Sequence, residues 1–249
     1  MIVSRETFRI GVECAIMDLD LTPYFKKYEA LVERADDAFE RVREAYADCV
    51  KCKEKCADCC YALFDLTLIE ALYINYKFKE KFKGTAKSEL LEKANRVDRR
   101  IHKLKRKAYE DFQAGKTEAE ILAEMALERV RCPLLNEEEL CELYDNRPIT
   151  CRFYGVPTAI GGQGHTCGLS GFKQGQQYPT VNLDAVHNKL QQISAELLRD
   201  IQSRNIRLVD MLVPLSMALV SDYDDAYLGI AEDKAEEVRS RKRRRRNRG

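Results

Sequence analysis

The amino-acid sequence predicts a mainly α protein in which a helical scaffold surrounds an irregular cysteine-rich module. Three observations carry that prediction. Apolar residues recur at three- and four-residue steps through most of the chain, the period of an amphipathic helix. Proline and glycine, which break helices, gather between residues 132 and 167. Nine of the ten cysteines fall in two groups, five between Cys49 and Cys60 and four between Cys132 and Cys167, the second inside that helix-poor stretch.

A chain of 249 residues has room for a substantial core. We expect one helical domain over residues 1–236 and a basic tail over 237–249. Hydrophobic residues make up 45% and charged residues 33%, the balance of a globular protein with highly charged helices. The formal net charge of +1 hides an asymmetry: the last eleven residues hold eight Lys or Arg and no acid, which leaves the rest at −7. Such a tail reads as a disordered arm, with Arg241, Lys242, Arg243, Arg244, Arg245 and Arg246 as candidate contacts to RNA or another polyanion. The N-terminus lacks the apolar run of a signal peptide. Residues 208–220, the most apolar stretch, contain Asp210 and Pro214 and fall short of the roughly 20 residues of a membrane span, so no membrane partner is expected. We read the protein as cytoplasmic and bacterial in style, a setting in which clustered cysteines serve as ligands or redox groups more often than as structural disulfides.

The elements follow in order. Residues 1–21 form a short strand or a lead-in helix, with Cys14 as core packing. From Pro23 the pattern reads as one long helix to about Tyr61: Pro23 suits a first turn, and Leu31, Ala35, Ala38, Val42 and Ala45 form a stripe that the cysteines continue. At about 100° per residue, Cys49, Cys52, Cys56, Cys59 and Cys60 share one face, flanked by Lys53 and Lys55. A second helix covers 66–82, with Leu68, Leu72 and Tyr73 inward and Gly84 closing it. A third covers 87–112 on the heptad seam Leu90, Ala94, Val97, Ile101, Leu104 and Ala108, with a strongly basic outer face between Arg96 and Lys107. Thr117 with Glu120 forms a capping box for a helix to about Val130. We take residues 84–130 as a helical insertion into the cysteine module. Residues 132–167 read as turns and short extended pieces, 182–203 as an amphipathic helix, and 208–220 as a buried helix interrupted at Pro214.

The first cluster reads C-x2-C-x3-C-x2-C-C, a spacing at which thiolates can share a metal. A regular helix cannot close four ligands round one metal by itself, so the remaining ligands must come from elsewhere, and the second cluster supplies them. The segments CADCC, CPLL and CELYDNRPITCRFYG, followed by Cys167, resemble the YkgJ-type cysteine-cluster family, which is described as zinc- or iron-chelating. That family shows a leading CxxCxxCC, a Cys-Pro element, Cys-x-x-Tyr-x-x-Arg-Pro-x-x-Cys-Arg and a final Cys. The match is tightest from Cys141 to Arg152. The leading cluster departs from the pattern, with three residues between Cys52 and Cys56 and an additional Cys49.

The resemblance implies that Cys52, Cys56, Cys59, Cys60, Cys132, Cys141, Cys151 and Cys167 are metal ligands, with Cys49 as an alternative to Cys52. Eight thiols suit one cluster with auxiliary cysteines, two four-thiolate sites or a polynuclear site. The family description and the adjacent pair Cys59-Cys60 favour an iron–sulfur cluster with a redox or electron-transfer role. The alternative is a structural zinc module that presents basic surfaces to RNA or a protein partner. Arg147 and Arg152 are placed to offset the negative charge of an all-thiolate site. Tyr144 and Tyr154 are read as packing residues, and His165 is the one histidine with a ligand's position. No Ser/His/Asp or paired-carboxylate arrangement nominates a catalytic residue.

Overall fold

The computed structural model describes residues 19–230. The N-terminal call, including Cys14, and the basic run Arg241 to Arg246 lie outside the described residues. Within them the chain is mainly α: helices α1 (Thr22–Ala45), α2 (Leu68–Lys81), α3 (Gly84–Gln113), α4 (Glu118–Leu127), α5 (Ile149–Phe153), α6 (Leu183–Asp200) and α7 (Leu215–Val220) account for most of the ordered backbone. Two small sheets complete it. Strand β1 (Asp65–Leu66) pairs antiparallel with β5 (Val213–Pro214), and β2 (Thr158–Ile160) lies between β3 (Gln163–His165) and β4 (Val181–Asn182).

Helix α2 is the centre. Its sequence, LIEALYINYKFKEK, is apolar almost all round, and its residues from Leu68 to Asn75 are all buried, the mark of a helix enclosed on every side. It packs against α1, α6 and α7. Ile69 and Phe78 are 0% exposed, and burying side chains of that size stabilises by about 1.5–3 kcal/mol each. Two hydroxyls tie the helices together: Tyr73 of α2 donates to Glu29 of α1 (2.9 Å), while Tyr24 of α1 donates to Asp200 of α6 (2.8 Å). The amide of Asn75 donates to the carbonyls of Ala218 and Ser221, closing the end of α7 from within the core.

Helix α2 ends at Lys81 and α3 begins at Gly84, whose φ of +53° reverses the chain within two residues. The predicted seam of α3 faces inward at Leu90, Ala94 and Ile101, where α3 lies on α7. Farther along, Tyr109 and Phe112 are exposed, so α3 and α4 extend beyond the core as a pair. Thr117 and Glu120 form the expected capping box, each binding the other's backbone N–H.

Two helical expectations are corrected. Helix α1 does not run to Tyr61. It stops at Ala45, with the Tyr46 N–H bonded to the Val42 carbonyl, and residues 46–57 turn away as a loop. The Cys49 and Val50 N–H groups both return to the Tyr46 carbonyl, and Lys55 adopts a left-handed φ of 65°. A continuous helix would string Cys49 to Cys60 over about 16 Å and leave the thiols in a row. The loop instead buries Val50 and Ala57 and folds the row back on itself. The second correction concerns 208–220, where only Leu215–Val220 is α-helical. Pro214, with no N–H to give, caps that helix, and Val213 pairs with Leu66.

Candidate metal centre

Three chain segments meet at the cysteines. The loop 46–57 leads into a 3-10 turn, Asp58–Tyr61, that carries Cys59 and Cys60. The chain then leaves through α2, α3 and α4 and returns beside its point of departure. The Val130 N–H binds the Tyr61 carbonyl (3.0 Å), and the Cys132 N–H binds the Cys60 carbonyl (2.7 Å). The first and second clusters are therefore stitched together through the backbone, although 71 residues separate Cys60 from Cys132. An isolated bridge between Leu135 and Cys141 folds Cys141 back toward the same point. Helix α5 supplies Cys151, and the loop after β3 supplies Cys167.

All nine described cysteines are free thiols. The Cys60 thiol is hydrogen-bonded to the sulfurs of Cys132, Cys141 and Cys59, which pushes its own pKa up. The same contacts lower the pKa of two neighbours: Cys141 falls to about 7, chiefly through the bond from Cys60, and Cys59 is lowered by its bond from Cys60. Burial pushes the Cys151 thiol well above its ordinary value. Burial also raises Cys52, to about 11, with the charges of Cys56, Cys167 and Cys59 acting in the same direction. The Cys52 residue as a whole is exposed, but its Sγ is tucked against Gly155, where a Cβ would stand 2.1 Å from it. The Cys167 thiol, raised by burial, donates to Asp58 Oδ2 (3.4 Å) and accepts from the Leu169 N–H (3.4 Å).

A cavity of about 50 Å³ is lined by Cys59, Cys60, Cys132, Cys141 and Cys151, together with Arg147. The positive charge of Arg147 stabilises the thiolates of Cys59 and Cys141 and acts on Cys52 and Cys151 as well. Its guanidinium lies 4.0 Å from the centre of the Tyr144 ring, which shields its other face. Arg152 has a different place. It is 5% exposed, pairs with Asp36 of α1, and donates to the carbonyls of Arg147 (3.0 Å) and Asp145 (2.5 Å). It holds the loop that carries Arg147.

Three groups were not singled out by the sequence pattern. Glu70, buried in α2, accepts from the Thr67 N–H and hydroxyl and from the Ile149 N–H (3.2 Å), tying the start of α5 to the core helix. The signal was present as Thr67-x-x-Glu70 ahead of an apolar run, a capping box. Asp58 receives both the Arg129 guanidinium and the Cys167 thiol, and Tyr154 hydrogen-bonds Arg129 from the other side. These long-range pairs leave no periodic trace. His165 is exposed on β3, opposite Thr158, and His102 is exposed on α3. Cys49 lies under the Gly171 loop, its carbonyl bonded to the Gly171 N–H (2.8 Å).

The donor set is all sulfur, with one guanidinium in its cavity and apolar walls behind it. That chemistry suits thiophilic metals: four thiolates satisfy Zn²⁺ or a four-iron cluster. Among the described residues no three His, Cys, Asp or Glu side chains already stand as a coordination shell; the sulfur-to-sulfur contacts are those of Cys60 with Cys59, Cys132 and Cys141.

Residues 51–168, a little under half of the chain, match the family model CxxCxxCC, described as "Putative zinc- or iron-chelating domain". The match begins after Cys49 and includes Cys52. No curated protein and no solved structure matches the chain. No helix among the described residues is long and apolar enough to cross a membrane. Over residues 51–168 this chain is similar to the CxxCxxCC family, the same cysteine-cluster family that its motifs resemble.

Proposed function

We propose that the chain is a metal-binding cysteine-cluster protein of the cytoplasm that carries iron–sulfur and serves a redox or electron-transfer role. The ligands are Cys52, Cys56, Cys59, Cys60, Cys132, Cys141, Cys151 and Cys167. The carrying observation is the meeting of the Cys60 thiol with Cys59, Cys132 and Cys141, which brings sulfurs from both clusters to one point. Cys52 is favoured over Cys49 because the charges of Cys56, Cys59 and Cys167 act on its thiol, and because the family match includes it. Iron–sulfur is supported by the adjacent thiols of Cys59 and Cys60 and by the apolar, arginine-countered cavity, a setting that tunes a cluster's potential through charge and solvent access. Arg147 serves as the counter-charge and Arg152 as the residue that positions it.

A second reading is a structural zinc module that meets RNA or a protein partner through basic surfaces. The solvent face of α3 favours it: Arg96, Arg99, Lys103, Arg106 and Lys107 are all exposed. Anaerobic purification followed by metal and sulfide analysis separates the two. Brown protein containing iron and acid-labile sulfide supports the first, and colourless protein with stoichiometric zinc supports the second. Protein that takes up neither refutes both. Cys59→Ser or Cys151→Ser is expected to lower metal content; unchanged content in both variants refutes a site built from two segments.

A further inference from the structure

We propose that the outer face of α4 is a self-association surface, on which a second copy of this chain seats its own α4 about a two-fold axis. The sequence of α4, EAEILAEMAL, is apolar on two sides. Ile121 and Met125 are half-buried on the side toward α3, against which α4 packs. At about 100° per residue, Ala119, Leu122, Ala123, Ala126 and Leu127 share a sector on the other side. All five are exposed. Leu122 is 69% exposed and Leu127 80%, the latter the most exposed large apolar side chain among the described residues. A single bare leucine needs no explanation, but a continuous apolar stripe on the solvent side of a helix marks a contact surface. A helix of ten residues is also marginal in water by itself and gains its stability from packed faces. The alanines leave hollows between the two leucines, a relief that the same stripe on a second copy fills with its own leucines.

Charge identifies the occupant. Within α4, Glu118, Glu120 and Glu124 border the stripe on both edges, and there is no base. On α3, residues 96–107 hold seven Lys or Arg and one acid, Asp98. The two helices run antiparallel: Arg100 donates to the Arg129 carbonyl just past the end of α4 (3.1 Å), and Lys116, just before its start, pairs with Asp111 and with Glu124. Lys103 and Lys107 follow Arg100 at three- and four-residue steps, so they line the same side of α3. Both are exposed, whereas the neighbouring Lys105 and Arg106 are engaged by Asp65 and Glu110. An apolar stripe edged with acid thus lies beside a row of bases. Turned through a two-fold axis, this arm is its own complement: stripe meets stripe, and each α3 brings its lysines toward the other copy's glutamates. A nucleic acid would satisfy the lysines but would leave the leucines bare and be repelled by the glutamates.

The test is sedimentation equilibrium of the full-length chain, with reductant present, over a wide range of concentration and at low and high salt. The stripe is only about 15 Å long, so the interface is small and a reversible monomer–dimer equilibrium, weakened by salt, is expected. Leu122→Ser and Leu127→Ser each change an exposed side chain that a two-fold contact buries twice, and each is expected to weaken the dimer by about tenfold or more. Lys103→Glu with Lys107→Glu, and Glu118→Lys with Glu124→Lys, are each expected to abolish self-association, while a mixture of the two variants restores dimers because each supplies the charge the other lacks. A chain that is monomeric at every concentration overturns the proposal, as does a dimer that the leucine variants leave unchanged. A monomer whose Tm falls in Leu122→Ser assigns the stripe instead to residues outside 19–230, and a monomer that binds poly(U) through Lys103 and Lys107 assigns α3 to a polyanion; either result overturns the two-fold contact.

Discussion

Replacing Glu70 by alanine tests the link between the core helix and the cysteine module. Glu70 is 4% exposed, and its carboxylate accepts from the Thr67 N–H (3.3 Å), the Thr67 hydroxyl (3.0 Å) and the Ile149 N–H (3.2 Å). Alanine leaves two backbone donors without a partner where water does not reach, since Thr67 and Ile149 are each 1% exposed. Each orphaned donor costs about 1–3 kcal/mol, and relief from burying a carboxylate returns part of that, so a net loss of about 2–4 kcal/mol is expected. For a chain of this size that is a fall of roughly 5–15 °C in Tm. Urea unfolding measures the loss, and iodoacetamide labelling of Cys151 reports whether α5 has come loose. Glu70→Gln separates charge from hydrogen bonding. Burial raises the Glu70 carboxyl above 4.5, so the folded state favours its protonated form. The resulting stability relative to Gln is full below pH 4.5 and is lost as pH rises through the folded pKa. A loss under about 0.5 kcal/mol for the alanine variant, or a wild-type advantage over Gln that grows with pH, refutes the assignment.

Two further predictions concern the thiols. Arg147→Gln removes the guanidinium that supports the Cys59 and Cys141 thiolates, so Cys141, at about 7 with the arginine in place, is expected to move up. Its alkylation at neutral pH in metal-free protein should then slow several-fold, and an unchanged pH–rate profile refutes the role. Gly155→Ala sets a methyl group 2.1 Å from Cys52 Sγ. Because that sulfur ends a short side chain on an exposed residue, it can swing out, so metal affinity should fall while Tm changes by only a few degrees; equal affinity would remove Cys52 from the ligand set.

Much of this arrangement is legible in the sequence, and the rest is hidden for identifiable reasons. The α class follows from period, and the Thr117–Glu120 cap and the inward turn of Leu90, Ala94 and Ile101 follow from local rules that tertiary packing does not override. The cysteines that the fold gathers are those whose spacing marks them. The end of α1 is concealed because cysteine packs as a small apolar residue, so the thiols counterfeit four more turns of the helical stripe beyond Ala45. Glu70 was readable as a capping box, but its second partner, Ile149, lies 79 residues away. The β1–β5 pairing and the Arg129–Asp58–Cys167 chain depend on contacts across 71 residues or more, which no window of sequence contains.

The long excursion between the two clusters then acquires a physical role. Closing a loop of some 70 residues costs only slightly more than closing a short one, because the entropy grows with the logarithm of length. What matters is whether the ends are fixed, and three clamps fix them. Arg152 draws α1, through Asp36, onto the carbonyls of Asp145 and Arg147; Glu70 joins α2 to α5; and the Val130 and Cys132 N–H groups lock the returning strand onto Tyr61 and Cys60. All three act on the segments that bear Cys60, Cys132, Cys141 and Cys151. Residues 46–57 are held by weaker means: their own turn bonds, two small buried side chains and the Gly171 bond to Cys49. Metal-binding free energy appears as folding free energy where the ligands are not already in place. Cys60, Cys132, Cys141 and Cys151 are therefore arranged by the helices and their clamps, and on the metal-binding proposal the loop at the end of α1 is the part of the fold expected to gain most from a bound metal.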